Sequence, residues 1–177
     1  MLVKYIMKIF GFTGFSGSGK TELILKLIQH FHEKNISVAT IKHAHHAFDI
    51  DKKGKDSYRY REVGATQTII SSAKRWAMMH ENTNDSEAEL PFLLQQLQPA
   101  DIILIEGYKN MPHPKLEVWR SDSGNESVAL SDANIPNILA MAVPTKDMQA
   151  IKGDLTLLAL DDIPRIADFV MEFAHEQ

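Results

Sequence analysis

Cysteine is absent from the 177 residues. Disulfides and thiolate metal sites are thereby excluded, and a cytoplasmic protein is the simplest expectation. Long apolar runs are missing as well. None approaches the ~20 residues that a bilayer-crossing helix needs, so no membrane partner is expected. The opening MLVKYIMKIFGF is too short and too charged for a signal peptide and reads as a first strand. Excess positive charge is also lacking. Lys and Arg number 19 against 23 Asp and Glu, a net charge of −4. That balance argues against nucleic acid as a partner. Repeats, low-complexity tracts and linkers are absent too, so residues 1–177 fit one domain. A hydrophobic share of 44% can supply a core without staples.

Glycine is sparse, nine in all, yet four of them crowd into GFTGFSGSG as Gly11, Gly14, Gly17 and Gly19. The run Gly14-Phe15-Ser16-Gly17-Ser18-Gly19-Lys20-Thr21 meets G-x-x-x-x-G-K-S/T, the Walker A pattern, at every required position. Glycine accepts positive φ without steric cost, so backbone N–H groups can converge on an anion. The positive end of the following helix favours the same anion. Lys20 would reach the β- and γ-phosphates, and the Thr21 hydroxyl would bind Mg²⁺. The context agrees. A strand is expected over Ile6–Phe12, and a helix follows with Leu23, Ile24, Leu27, Ile28 and Phe31 on one face.

Further along, strand-like and helix-like runs alternate. Strands are expected at Ile36–Lys42, in TQTIISS and RWAMMHE, and at Asp101–Gly107, Lys115–Arg120, Asn137–Val143 and Leu155–Leu160. Helices are expected at Lys55–Gly64 and at Ser86–Gln98, the latter with a capping box from Ser86 to Glu89, and in the closing IPRIADFVMEFAHEQ. DIILIE and ILAMAV are near-continuous apolar runs, as in strands buried on both faces. The pattern is α/β with a mostly parallel central sheet flanked by helices.

A Mg²⁺ site on such a loop needs a second acid. Glu106 ends DIILIE, at the sheet edge where ligands bind, and Gly107 after it would let an N–H approach a γ-phosphate. The loop IKHAHHAFDIDKKGKDS holds His43, His45 and His46 with Asp49, Asp51 and Asp56. Its carboxylates could bind Mg²⁺ or position a water, and its imidazoles admit a transition metal. Lys52, Lys53, Lys55, Arg59 and Arg61 suit an anionic partner or form a solvated face. After ILAMAV comes PTKD, close to the N-K-x-D guanine pattern but without its Asn. Asp147 could accept from guanine N1 and N2, or belong to a charged turn.

GFSGSGKT, IKHAHHAFDIDKKGKDSYRYREVGA and LIEGYK together resemble the MobB-type molybdopterin-guanine dinucleotide biosynthesis adaptor proteins, from Lys8 to the last helix. The resemblance implies a three-layer P-loop NTPase fold that binds GTP with Mg²⁺ and hydrolyses it weakly at most. It implies a homodimer that works beside the molybdenum cofactor guanylyltransferase, with GTP or molybdopterin passing between them. Carried over by position, Gly17, Gly19, Lys20 and Thr21 hold phosphate and magnesium, and the Walker A run adds Gly14, Ser16 and Ser18 to the phosphate site. Asp49, Asp51 and Glu106 join Thr21 around the metal, and His43 belongs to the site; Asp147 rests only on its place in PTKD. Three other readings compete: a P-loop small-molecule kinase, a nickel GTPase metallochaperone using the histidines, and a scaffold whose loop holds only an anion.

Overall fold

A computed structural model describes residues 7–44, 48–82, 86–122, 134–151 and 153–176. In chain order the elements begin with β1 (Lys8–Thr13), α1 (Lys20–Glu33) and β2 (Val38–Lys42). Next come α2 (Asp56–Glu62), β3 (Gln67–Ser71), β4 (Trp76–His80) and α3 (Leu90–Gln95). The chain then runs through β5 (Ile102–Glu106), β6 (Lys115–Val118) and β7 (Ile138–Val143). A 3₁₀ turn at Thr145–Ala150, β8 (Thr156–Ala159), α4 (Ile163–Phe173) and β9 (His175–Glu176) close it. Two compact units result: Met1–His43 with Leu97–Gln177, and Ala44–Gln96.

In the first unit the apolar strands pair as β2-β5-β1-β6-β7-β8, every neighbour parallel, with β9 antiparallel on β1 in the same seven-stranded sheet. One face of the sheet packs Phe10, Phe12, Leu104, Leu116 and Ala142 against α1 and α4. Helix α1 meets it with Leu23, Leu27 and Phe31, and α4 with Ile166, Phe169 and Val170. Both sets recur at helical spacing, so each helix presents one apolar stripe. In the second unit β3 and β4 form a two-stranded antiparallel sheet, with α2 beside β3.

Two boundaries differ from the sequence expectation, each for a local reason. Helix α3 starts at Leu90, not after Ser86, and no capping box forms. A helix begun at Ser86 would hold Pro91 beyond its first turn, where the ring clashes with a carbonyl and an N–H is lost. Starting at Leu90 leaves Pro91 in the first turn. Helix α4 ends at Phe173, and His175–Glu176 instead pair with Lys8–Ile9. Strand β6 covers only Gly11–Thr13 of β1, so the first residues of that edge remain open to β9. The charged turn after β7 is a 3₁₀ segment.

The opposite face of the sheet holds buried charge. Lys115 and Glu117 are fully buried on β6. The Lys115 ammonium donates to the carbonyls of Met111, His113 (2.8 Å) and Pro136 (3.0 Å). Burial lowers its pKa to about 8. The His113 ring lies so close to Gly11 that a Cβ there would strike it. Neither ring nitrogen finds a partner among the described residues. Burial, with the Lys115 charge adding to it, pushes His113 down to about 4 from 6.5. A base with a depressed folded pKa favours the unfolded chain when protonated. Its stabilising neutral form is therefore intact above pH 6.5 and lost as pH falls towards 4. His113→Leu should flatten the fall in urea midpoint across that window; a slope parallel to wild type would contradict the assignment.

Candidate functional site

The glycine-rich segment leaves β1 and turns directly into α1. Gly14 sits at φ 138°, and a Cβ there would strike the Val118 carbonyl. Gly17 and Gly19 are left-handed at 80° and 96°. Gly19 precedes the first turn of α1, which no side chain caps among the described residues. Its orphan N–H groups therefore need an acceptor from elsewhere. Ser16 is exposed on the loop. Ser18 is buried, and its Oγ has no partner among the described residues. Lys20 folds back over the loop, donating to the carbonyls of Gly14 (2.9 Å) and Phe15 (2.7 Å). Burial lowers its pKa; Glu106 opposes the shift and Lys42 adds to it.

Parallel register sets the other wall. Phe12 and Lys42 both lie level with Glu106 at the carboxyl edge. The Thr21 hydroxyl donates to Glu106 at 3.2 Å, and Lys42 Nζ stands 3.5 Å from the same carboxylate. The His43 N–H donates to the Glu106 carbonyl at 2.9 Å, and its ring lies 4.7 Å from that of Tyr108. Gly107 N–H was expected to face a γ-phosphate; here it donates to the Phe12 carbonyl at 3.1 Å. Tyr108 follows at φ 48°, an uncommon value for a tyrosine and a sign of local constraint.

Arg120 belongs to the site and is not singled out by its sequence. Its Nε donates to the Ser18 carbonyl at 3.0 Å, and its guanidinium lies 3.2 Å from where a Gly19 Cβ would be. The available signal was its place just after β6, on the same sheet edge. Asp147 is buried in the 3₁₀ turn, where the Ser121 hydroxyl (2.8 Å) and N–H (3.3 Å) donate to its carboxylate. Neighbouring Lys146 pairs with Asp122 at 3.0 Å, which raises the lysine and lowers the carboxyl.

Asp49 and Asp51 lie in the second unit, and both turn to Arg61. Its Nη2 is 2.8 Å from Asp49 and its Nε 3.7 Å from Asp51, while Nη1 meets Glu81 at 2.7 Å. Asp51 also accepts from the Ser57 hydroxyl at 3.0 Å. The glutamate hydrogen bond, foremost, raises the Arg61 pKa. His45 and His46 lie outside the described residues. Among the described residues no three His, Asp or Glu side chains are grouped to hold a metal ion.

Residues 9–144 match the model of the family "Molybdopterin guanine dinucleotide synthesis protein B". The chain is 36% identical to the molybdopterin-guanine dinucleotide biosynthesis adapter protein of Escherichia coli K12, over 100% of this chain and 99% of that one. It is 37% identical to the adapter protein of the same name in Haemophilus influenzae, over 94% and 89%. The crystal structure of Bacillus subtilis MobB superposes with a TM-score of 0.73 at 28% identity, covering 95% of this chain and 98% of that one.

Gly107 and Gly54 provide a contrast. Both have positive φ, but a Cβ at Gly107 would sit 2.7 Å from His43 Cβ, whereas nothing lies within 4 Å at Gly54. Gly54→Ala should cost about 1 kcal/mol from its backbone alone. Gly107→Ala should cost at least ~1 kcal/mol more by chemical denaturation, because the His43 backbone must shift. Equal losses would mean that only the φ angle matters.

Proposed function

Starting from the fact that this chain belongs to the molybdopterin guanine dinucleotide synthesis protein B family, we propose that it is a GTP-binding adapter of molybdenum cofactor biosynthesis. One observation carries the nucleotide part: the Thr21 hydroxyl stands 3.2 Å from Glu106 at the uncapped start of α1. A hydroxyl and a carboxylate are hard oxygen donors of the kind Mg²⁺ takes alongside phosphate and water. The orphan Ser18 Oγ and the open first-turn N–H groups suit phosphate oxygens. We therefore assign phosphate to Gly14, Ser16, Gly17, Ser18, Gly19 and Lys20, and magnesium to Thr21 and Glu106. Bound Mg²⁺ would neutralise triphosphate charge. His43 braces Glu106 through its backbone. Asp49 and Asp51 are assigned to the Arg61 cluster. Asp147 is the guanine acceptor in this reading, and a base must compete with Ser121 for it.

Hydrolysis should be slow. Arg120 is held on the Ser18 carbonyl and Gly107 N–H on Phe12, so neither is aimed at a leaving phosphate. The partner in this reading is the guanylyltransferase that joins GMP to molybdopterin, in the cytoplasm. A homodimer is supported by the β3–β4 sheet. It exposes Ile69, Ile70, Trp76 and Met78, an apolar surface left uncovered although α2 lies beside β3.

Equilibrium binding tests the nucleotide reading. GTP should bind in Mg²⁺, with ATP at least tenfold weaker (about 1.4 kcal/mol). Lys20→Ala should abolish binding, and Glu106→Gln should remove most of the gain from Mg²⁺. ATP binding as tightly as GTP would defeat the Asp147 assignment and bring the kinase reading forward. For the dimer, Trp76→Arg should halve the mass seen by analytical ultracentrifugation. An unchanged mass would place the interface elsewhere.

A further inference from the structure

Residues 48–51, Phe-Asp-Ile-Asp, are partitioned against the usual rule. Apolar side chains normally go in and carboxylates out. Here Phe48 and Ile50 are 74% and 72% exposed, while the Asp51 side chain is only 6% exposed. Two groups hold this arrangement in place: Arg61 pairs with Asp49 at 2.8 Å and stands 3.7 Å from Asp51 without a hydrogen bond, while the Ser57 hydroxyl donates to Asp51 at 3.0 Å. Arg61 is itself held by Glu81 at 2.7 Å and by the Tyr58 ring at 5.4 Å. Local bonds stiffen the segment further. Asp51 N–H donates to Asp49 Oδ1 (3.1 Å), Lys52 N–H to Asp51 Oδ1 (2.8 Å), and Lys55 N–H to the Lys52 carbonyl (3.1 Å). Exposing two large apolar side chains while burying a carboxylate opposes the hydrophobic effect on both counts. Exposed Lys52, Lys53 and Lys55 follow directly.

We propose that Phe48–Lys55 is a pre-formed docking loop for a protein surface that offers an apolar cleft rimmed by carboxylates. Resting on the reading above, the inference names that surface as part of the guanylyltransferase. Phe48 and Ile50 are the anchors, and the three lysines steer the encounter and fix its register. Because Arg61 already holds the loop in shape, little ordering cost remains at binding. Charge decides between occupants. A second copy related by a two-fold axis at this loop would set Lys52, Lys53 and Lys55 against themselves. A small anion would use the lysines but leave Phe48 and Ile50 idle.

The test is titration of the full chain against the purified cognate guanylyltransferase, with GTP affinity and oligomeric mass measured for each variant. Phe48→Ser with Ile50→Ser should weaken the complex at least tenfold and leave GTP affinity and mass unchanged. Lys52→Gln, Lys53→Gln and Lys55→Gln together should slow association at low salt and remove most of its salt dependence. Wild type that binds while both sets of variants bind equally well overturns the loop but not the partner. Wild type that fails to bind overturns the partner reading and the loop with it. A loss of mass in the Phe48 and Ile50 variant would overturn the proposal by giving this face to self-association.

Discussion

Parallel pairing of β5 between β1 and β2 is the constraint on which the site depends. Backbone ladders fix the height of each residue along the sheet, and parallel strands bring their carboxyl ends to one edge. Phe12, Glu106 and Lys42 are level there. The chain leaves β1 into the glycine loop, β5 into Gly107 and β2 into His43, so three turns converge. Two further backbone bonds, His43 N–H to Glu106 and Gly107 N–H to Phe12, extend the ladder past the strands' last pairs. Glu106 thus reaches Thr21 with no flexible segment between its carboxylate and the core. Slipping β5 by one residue would turn Glu106 to the other face.

Electrostatics at this edge is incomplete in a directed way. Lys20 is partly buried and its ammonium is held by two carbonyls rather than a full counter-charge. Burial therefore lowers its pKa, and Glu106 offsets that only in part because it also serves Thr21 and Lys42. An anion brought to the loop would compensate Lys20 and the orphan N–H groups of α1 together. By linkage it would raise the lysine's affinity for its proton. The loop is thus built around charge that the protein alone does not balance.

What could be read in the sequence was local or periodic. The phosphate loop is eight consecutive residues, and Glu106 ends an apolar run whose direction the α/β pattern sets. The helix faces followed from spacing. What escaped lies between residues distant in the chain. Arg120 meets Ser18 across 102 positions, and Asp147 meets Ser121 across 26. Strand β9 exists because β6 leaves part of β1 open, which no periodicity encodes. The loop after β2 was the instructive case. Its carboxylates suggest metal by composition, but Arg61 pairs with Asp49 and the Ser57 hydroxyl donates to Asp51, and only the fold shows it.

The same commitments bear on what kind of protein this is. Fast phosphoryl transfer needs donors and cations that are free to follow charge onto the transferring group. Around this loop the nearest such groups are tied to the backbone. Arg120 braces the Ser18 carbonyl, Gly107 N–H closes the β1–β5 ladder, and Lys20 crosses the loop to Gly14 and Phe15. Each bond stiffens the cradle and removes a group from chemistry. Of these three, Lys20 is the one that can exchange, because a phosphate is a better partner for an ammonium than two carbonyls; Lys42, 3.5 Å from Glu106, is a second cation, and it stands by a carboxylate rather than a carbonyl. Binding would therefore release Lys20 and leave the other two in place. Under the proposed reading, that combination suits an adapter that holds its nucleotide for use by another protein.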